Sequence, residues 1–467
     1  MTDPSSQLVA DGARLVDAPS GTVLGGAELR ARITAVAREL VELPVGAVLA
    51  LTAVDLPSTL RYLGTFQAER AVAVLGPDLD PEPLNDLVER FQPAAVLGVD
   101  PAFAVPDGYA VADLTGPAWV RTSGDGVEPH PDLAVLLSTS GSTGNPKLVR
   151  LSREAVLSNA RAIAQALRLD SREVAPTSLP LHYAYGLSVL NSHLVVGAAV
   201  LIEPNGVTAP SFWRAVHEHR ATSLAGVPYH YELLHQGGFD PAEHPALRTL
   251  TQAGGRLRTD RLTDFAGRIA AVGGRMYVMY GQTEATTRMA VLPAERLAAK
   301  IGSVGQALPG AEFSIRQLPG EPAQAQGEVV YRGPNVMMGY AENAAELARP
   351  DELRGELATG DLGYLDDEGF LFITGRLSRI GKVFGNRVNL DDLEQLLRGH
   401  GPAAALPGDA DRVVIWLEGA DDESCAAAAK ELAERLHLHV SGFLVRRVDR
   451  LPLLPSGKVD YRALEER

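Results

Sequence analysis

Four short segments of this sequence carry residue types whose spacing could do chemistry. The first runs Ser138, Thr139, Ser140, Gly141, Ser142, Thr143, Gly144, Asn145, Pro146, Lys147. With no bulky side chain before the lysine, it offers backbone N–H groups and hydroxyls that suit a polyphosphate, and Lys147 adds a cation. Its spacing from Gly141 to Lys147, and the Leu148 that follows, depart from a Walker A loop, which places Ser or Thr after its lysine. A plain surface turn is the competing reading. The second segment is Tyr280, Gly281, Gln282, Thr283, Glu284, where a carboxylate beside a hydroxyl could ligate Mg2+ and touch a phosphate. A solvated glutamate is the blander account. The third is Thr359, Gly360, Asp361, with Arg376 beyond it. An aspartate can accept from both hydroxyls of a ribose and an arginine can donate, although a salt bridge across a hairpin would use the same two residues. The fourth is Pro455, Ser456, Gly457, Lys458, whose lysine is either a mobile cation for an active site or a solvated side chain.

Each segment sits at the edge of an element. Residues 133–137 and 148–151 read as strands on either side of the first, and Ser152 as the cap of a helix with apolar Val156, Ala160, Ile163 and Leu167. A strand over 276–279 ends at the second, and the third lies in a hairpin that turns at Asp367, Glu368 and Gly369. Up to about residue 275, apolar runs at 47–54, 71–76, 94–99, 198–202 and 223–227 alternate with helical patterns such as 85–91 and 212–219. That alternation predicts an α/β fold of layered subdomains built on parallel sheet. Residues 302–375 predict a small β-rich subdomain. The remainder predicts an α+β unit with helices from Asp391 and over 423–436 and strands over 412–417 and 443–448. The expected division is a large N-terminal domain, 1–376, and a small mobile C-terminal domain, 377–467, hinged near Leu377 and Ser378.

Composition narrows the function. The chain has 467 residues, with 43 Lys and Arg against 58 Asp and Glu, a formal charge of −15. That balance opposes nucleic-acid binding, which needs a basic face, and a polybasic membrane anchor. The single cysteine, Cys425, excludes an intramolecular disulfide and a cysteine-based zinc site. His217, His219, His230 and His235 lack carboxylate or cysteine partners at ligand spacing. The N-terminal residues have no basic start and apolar core, so the expected address is the cytoplasm.

The four segments occur in the order and spacing of one family. From about Ala47 to the C-terminus the chain resembles the adenylate-forming superfamily of acyl-CoA synthetases, nonribosomal-peptide adenylation domains and luciferases. STSGSTGNPK is similar to its phosphate loop, MYGQTEA to its Thr-Glu motif, ATGDLGYLDDEGFLFITGR to its ribose and hinge region, and LPSGKVDY to its C-terminal lysine motif. The resemblance implies two half-reactions, formation of an acyl-adenylate from Mg-ATP and transfer of the acyl group to a thiol. It implies that residues 139–144 and Lys147 cradle phosphate, that Glu284 holds Mg2+ and that Thr283 contacts the α-phosphate. Lys458 would act in adenylation, Asp361 and Arg376 would hold the ribose, and Gly254, Gly255, Tyr280 and Gly281 would flank the adenine. His182, Tyr183, Tyr185, Val227 and Gln252 would border the acid, and Gly385, in Phe384-Gly-Asn-Arg387, a thiol tunnel.

Departures from the family pattern shape the expected substrate. Ser378 stands where the hinge usually has Asp or Lys, Tyr183 where the acid gate is commonly His, and Ala184 where amino-acid-activating relatives place an Asp. A buried ammonium at Ala184 would be unpaired, which disfavours α-amino acids. The expected activity is an acid–thiol ligase using ATP, Mg2+, a small-molecule carboxylic acid and CoA. Its alternatives are a stand-alone enzyme that loads the phosphopantetheine of a separate carrier protein, an enzyme activating an oxyacid such as nitrite, and an inactive nucleotide-binding regulator. No nucleic acid or membrane partner is expected.

Overall fold

A computed structural model describes residues 7–138, 147–318, 326–384, 386–409, 411–454 and 459–465. The chain divides into two compact units, Met1–Glu312 with Arg332–Leu357, and Phe313–Tyr331 with Ala358–Arg467.

In the first unit the strands Val48–Leu51, Val72–Leu75, Ala95–Leu97 and Leu133–Ser138, apolar but for the final serine, lie parallel in one large sheet. Residues at 0% exposure such as Val48, Val74, Val96 and Leu136 show why these runs lack alternation: both faces are covered. The expected parallel sheet is therefore present, but its margins are antiparallel. Leu148–Ser152 and Gly339–Ala341 close one edge, and Pro117–Arg121 and Tyr109–Asp113 the other. A second sheet places Ser223–Gly226, Thr249–Gln252 and Arg275–Tyr280 parallel, then adds antiparallel Ala290–Leu292 and Gln306–Ala307. A third joins Arg14–Asp17 to Ala199–Ile202 in parallel register.

Local signals start the helices where the sequence placed them. Ser152 Oγ accepts from the Ala155 N–H at 3.0 Å, capping Arg153–Leu167, and Pro228 opens Pro228–Gln236.

In the second unit Glu312–Arg316, Gly327–Arg332, Glu356–Leu365 and Leu371–Arg376 form a four-stranded sheet. The β-rich stretch is not the continuous block expected at 302–375. Residues 332–357 return to the first unit, where Gly339–Ala341 pairs with Leu148–Ser152. Beyond Arg376, Ala403–Gly408, Arg412–Glu418 and Phe443–Val448 form a sheet packed with Leu390–Leu396 and Asp422–Leu436. Cys425 is buried in the latter helix, and burial pushes its thiol pKa up, opposing a nucleophilic role. No described helix is long and apolar enough to cross a membrane.

Candidate active site

Three neighbouring parallel strands end side by side, and the residues after each are candidates named above. Val227 follows Ser223–Gly226, Gly254 and Gly255 follow Thr249–Gln252, and Gly281 to Glu284 follow Arg275–Tyr280. The C-terminal edge of parallel strands is where open α/β sheets receive ligands. Gly254 has φ +80°, and a Cβ there would sit 2.6 Å from Tyr183 Oη and 3.0 Å from Val227 Cγ1. The turn is tied by Gln252, 2% exposed, whose Nε2 donates to the Gly255 carbonyl at 2.7 Å. Gln252 thus holds the two glycines in shape.

A 3-10 turn, Thr283–Ala285, carries the carboxylate. It forms because the chain doubles back so closely that a Cβ at Gly281 would lie 1.7 Å from the Thr287 carbonyl oxygen. Tyr340 donates its hydroxyl to Glu284 Oε1 at 2.8 Å. Burial, and then the Glu284 charge, push the Tyr340 pKa up, so the phenol stays a donor. Among the described residues Glu284 Oε2 and the Thr283 hydroxyl have no hydrogen-bond partner. A single carboxylate with one oxygen held and one left suits Mg2+, which completes its shell with phosphate oxygens and water. No group of three or more His, Cys, Asp or Glu able to hold a metal occurs among the described residues.

Lys147 is paired with Glu342, Nζ to Oε1 at 2.8 Å, both about half exposed. The hydrogen bond to Glu342, and then its charge, raise the lysine pKa, so it is a cation. Residues 139–144 lie outside the described residues, but the strands on either side of them pair antiparallel with Ser138 opposite Leu148. The two flanks of that segment are thereby fixed next to each other.

The consecutive residues His182 and Tyr183 address different sheets. The His182 ring would lie 3.6 Å from a Cβ on Gly76, just past Val72–Leu75 in the large sheet. Burial lowers its pKa, so the imidazole is neutral at pH 7. Tyr183 stands over Gly254, its hydroxyl without a partner among the described residues. Tyr185 is 1% exposed, and its hydroxyl is committed to Thr251, 3.0 Å from the carbonyl and 2.9 Å from Oγ1. It backs the Tyr183 ring at a centroid distance of 6.4 Å.

In the second unit Asp361 and Arg376 face each other across the hairpin, Nε to Oδ1 at 3.0 Å. The aspartate is buried and its arginine largely exposed. The salt bridge foreseen as the plainer reading therefore exists, and it also presents a carboxylate fixed by a donor. Lys458 and Gly385 lie outside the described residues.

Sequence reasoning missed Tyr340 and Glu342, which reach the site on the returning segment, and Asn335, whose Nδ2 donates to the carbonyls of Ala285 and Arg288. It also missed Arg288, four residues past Glu284, whose side chain is 2% exposed. An arginine amid Thr287 and Met289 was the one available signal.

A family model described as AMP-binding enzyme matches residues 10–341. The oxalate–CoA ligase of Arabidopsis thaliana is 30% identical over 354 residues, covering 72% of this chain and 68% of that protein. The L-proline:L-prolyl-carrier protein ligase of Streptomyces coelicolor is 32% identical over 360 residues, 71% of this chain and 66% of its own. The solved o-succinylbenzoate CoA synthetase from Bacillus subtilis, in complex with an acyl-adenylate intermediate, shares the fold at a TM-score of 0.76 and 23% identity, covering 97% of this chain and 95% of that one.

Proposed function

The chain belongs to the AMP-binding enzyme family, within the adenylate-forming superfamily, and from that premise we propose that it is an AMP-forming ligase joining a carboxylic acid to a thiol, most simply CoA. In the first step a carboxylate oxygen of the acid bonds to the α-phosphorus of ATP as the bond to the β-phosphate oxygen breaks, releasing pyrophosphate. In the second the thiol sulfur bonds to the acyl carbon, the acyl–oxygen bond breaks with AMP leaving, and the thiol proton passes to solvent.

The observation that carries this reading is the Thr283–Glu284 turn at the C-terminal end of a parallel strand, its carboxylate held by Tyr340 and its hydroxyl without a partner among the described residues. When bound, Mg2+ would spread the charge leaving with pyrophosphate, and Glu284 is the residue that would hold it. Thr283 would donate to the α-phosphate, Lys147 would leave Glu342 for a phosphate oxygen, and Asp361 with Arg376 would orient the ribose. Tyr183 and Gly254 would shape the mouth of the acid site. Fixed donors and cations suffice for such a transfer because charge moves between oxygens. Lys458 and Gly385 keep the roles that the resemblance implies, with residues 377–467 rotating between the steps.

Pyrophosphate release from Mg-ATP, measured across aliphatic, aromatic, amino and inorganic acids with and without CoA, tests the proposal. An acyl-CoA mass among the products supports it; silence with every acid overturns it. The carrier-loading alternative is favoured by the likeness to the prolyl-carrier ligase, and predicts adenylate without CoA turnover.

A further inference from the structure

Arg288 is a buried charge that the proposed reaction leaves unused. It is 2% exposed, and its guanidinium carbon stacks 3.7 Å over the ring of Tyr185. No carboxylate pairs with it among the described residues. Its Nε is buried without an acceptor, and the groups acting on its charge are the phenols of Tyr185 and Tyr183. Tyr185 belongs to an apolar cluster with Leu179, Val227 and Met279. An arginine cannot escape such a setting by losing its proton, and an uncompensated buried cation is costly.

The backbone adds a second disfavoured feature. Thr286 and Thr287, just before Arg288, take φ +51° and +96°, left-handed values that a β-branched side chain rarely adopts. The bend is locked by Thr286 Oγ1 donating to the Asn335 carbonyl at 2.6 Å and by Asn159 Nδ2 donating to the Arg288 carbonyl at 2.8 Å. Among the described residues the fold thus holds a strained turn and a buried cation with no carboxylate partner directly after the Thr283–Glu284 turn and beside Tyr183. Both make sense if a ligand brings the missing anion.

We infer that Arg288 receives a second carboxylate of the acid, and that the acid activated by this enzyme is a dicarboxylic acid. The inference rests on the proposed acid activation. The reacting carboxylate loses its charge on becoming the adenylate and stays neutral in the thioester. A second anionic group on the acid would stay charged and neutralise Arg288 through both steps. Tyr183 and Tyr185, neutral phenols, frame it without competing for it. Two of the similar proteins are named for oxalate and o-succinylbenzoate, each a dianion at neutral pH.

The experiment compares each of oxalate, malonate, succinate, glutarate and phthalate with its monomethyl ester and with acetate, butyrate and benzoate, in the wild type and in Arg288→Met and Arg288→Lys. Two readouts are taken at pH 7.5: pyrophosphate release, and the shift in melting temperature on adding the acid alone. The wild type should favour at least one diacid over its half-ester by about 10- to 100-fold in kcat/KM, the range of a charge-assisted contact. Without ligand, Arg288→Met should melt no lower than the wild type, because it removes a buried charge that has no carboxylate partner among the described residues. It should lose the diacid response and use the half-ester at least as well as the diacid, while Arg288→Lys keeps part of the preference.

A wild type that prefers monocarboxylates, or an Arg288→Met variant that keeps the diacid preference, overturns the inference. So does silence from every diacid in both readouts. If Arg288→Met fails to fold, the wild-type diacid to half-ester ratio and Arg288→Lys still decide. Pyrophosphate release with monoacids alone would sink this inference and leave the ligase standing. A diacid-induced melting shift lost in Arg288→Met, without pyrophosphate release from any acid, would overturn the ligase and leave Arg288 only a carboxylate-binding residue.

Discussion

At the scale of single residues, Tyr340 makes the most specific claim about Glu284. Its hydroxyl fixes one carboxylate oxygen at 2.8 Å, and the ring is 39% exposed, so little packing depends on it. Tyr340→Phe should leave the melting temperature within about 1 °C, since surface changes of this kind shift stability little. It should raise the Mg2+ concentration for half-maximal pyrophosphate release by about tenfold, the usual effect of losing a partner of a metal ligand. An unchanged Mg2+ dependence would show that Glu284 does not work through the metal. Lys458→Ala should abolish pyrophosphate release and spare thiolysis of a supplied acyl-adenylate; equal loss in both steps would remove the two-conformation scheme. Glu284 and Asp361 were legible in the sequence because their neighbours form short local motifs. Tyr340 and Arg288 were not, because one is 56 residues from its partner and the other gains meaning only from burial.

At the scale of elements, the return of residues 332–357 to the first unit rests on Arg150. That side chain is 0% exposed in the strand Leu148–Ser152. It donates to the carbonyl oxygens of Met338 at 3.0 Å and Arg349 at 2.5 Å, and to Glu352 Oε2 at 2.5 Å. The approach is so close that a Cβ on Gly339 would fall 2.2 Å from that Glu352 oxygen. Arg150→Met should lower unfolding free energy by about 1–3 kcal/mol, because acceptors are left unsatisfied. Urea unfolding checks the number, and faster amide exchange at Met338 to Ala341 checks the place. Stability within about 0.5 kcal/mol of the wild type would show that strand pairing alone holds the segment. The sequence read the strands at 133–137 and 148–151 correctly, since their apolar runs and the Ser152 cap are local. It could not foresee that the sheet would be extended by Gly339–Ala341, nor that Arg14–Asp17 would lie beside Ala199–Ile202, since those pairings join residues nearly two hundred positions apart.

At the scale of the whole molecule, buried imidazoles should govern the response to acid. His182, His193, His230 and His244 all have pKa values lowered by burial from the ordinary 6.5. Below that pH the unfolded chain takes up protons that the folded chain refuses, so stability falls as pH drops and levels off under the folded values. Melting temperature should therefore decline by several degrees from pH 7.5 to 5.5, with a shallower slope in His193→Gln. A flat profile would contradict this. The α/β class and the adenylate-forming family were plain from the sequence, because alternating apolar runs and four ordered motifs survive without any tertiary information. The unit boundaries at Phe313, Arg332 and Ala358 were not, since they follow how strands pair and leave no mark of composition.

The segment beyond Arg376 has a further consequence. Its two apolar cores, one around Val383, Leu390, Ile415 and Phe443 and another around Leu406, Trp416 and Leu464, draw every member from residues 377–467. The strands of the sheet that ends at Arg376 all lie before it. A nick between Arg376 and Leu377 would therefore sever one peptide bond without orphaning a strand. The cut falls inside the second unit, where Asn389 Nδ2 donates to the Thr374 carbonyl at 3.0 Å, so separately expressed pieces should regain pyrophosphate release on mixing by re-forming that contact; a mixture that stays silent would show that the peptide bond itself is needed.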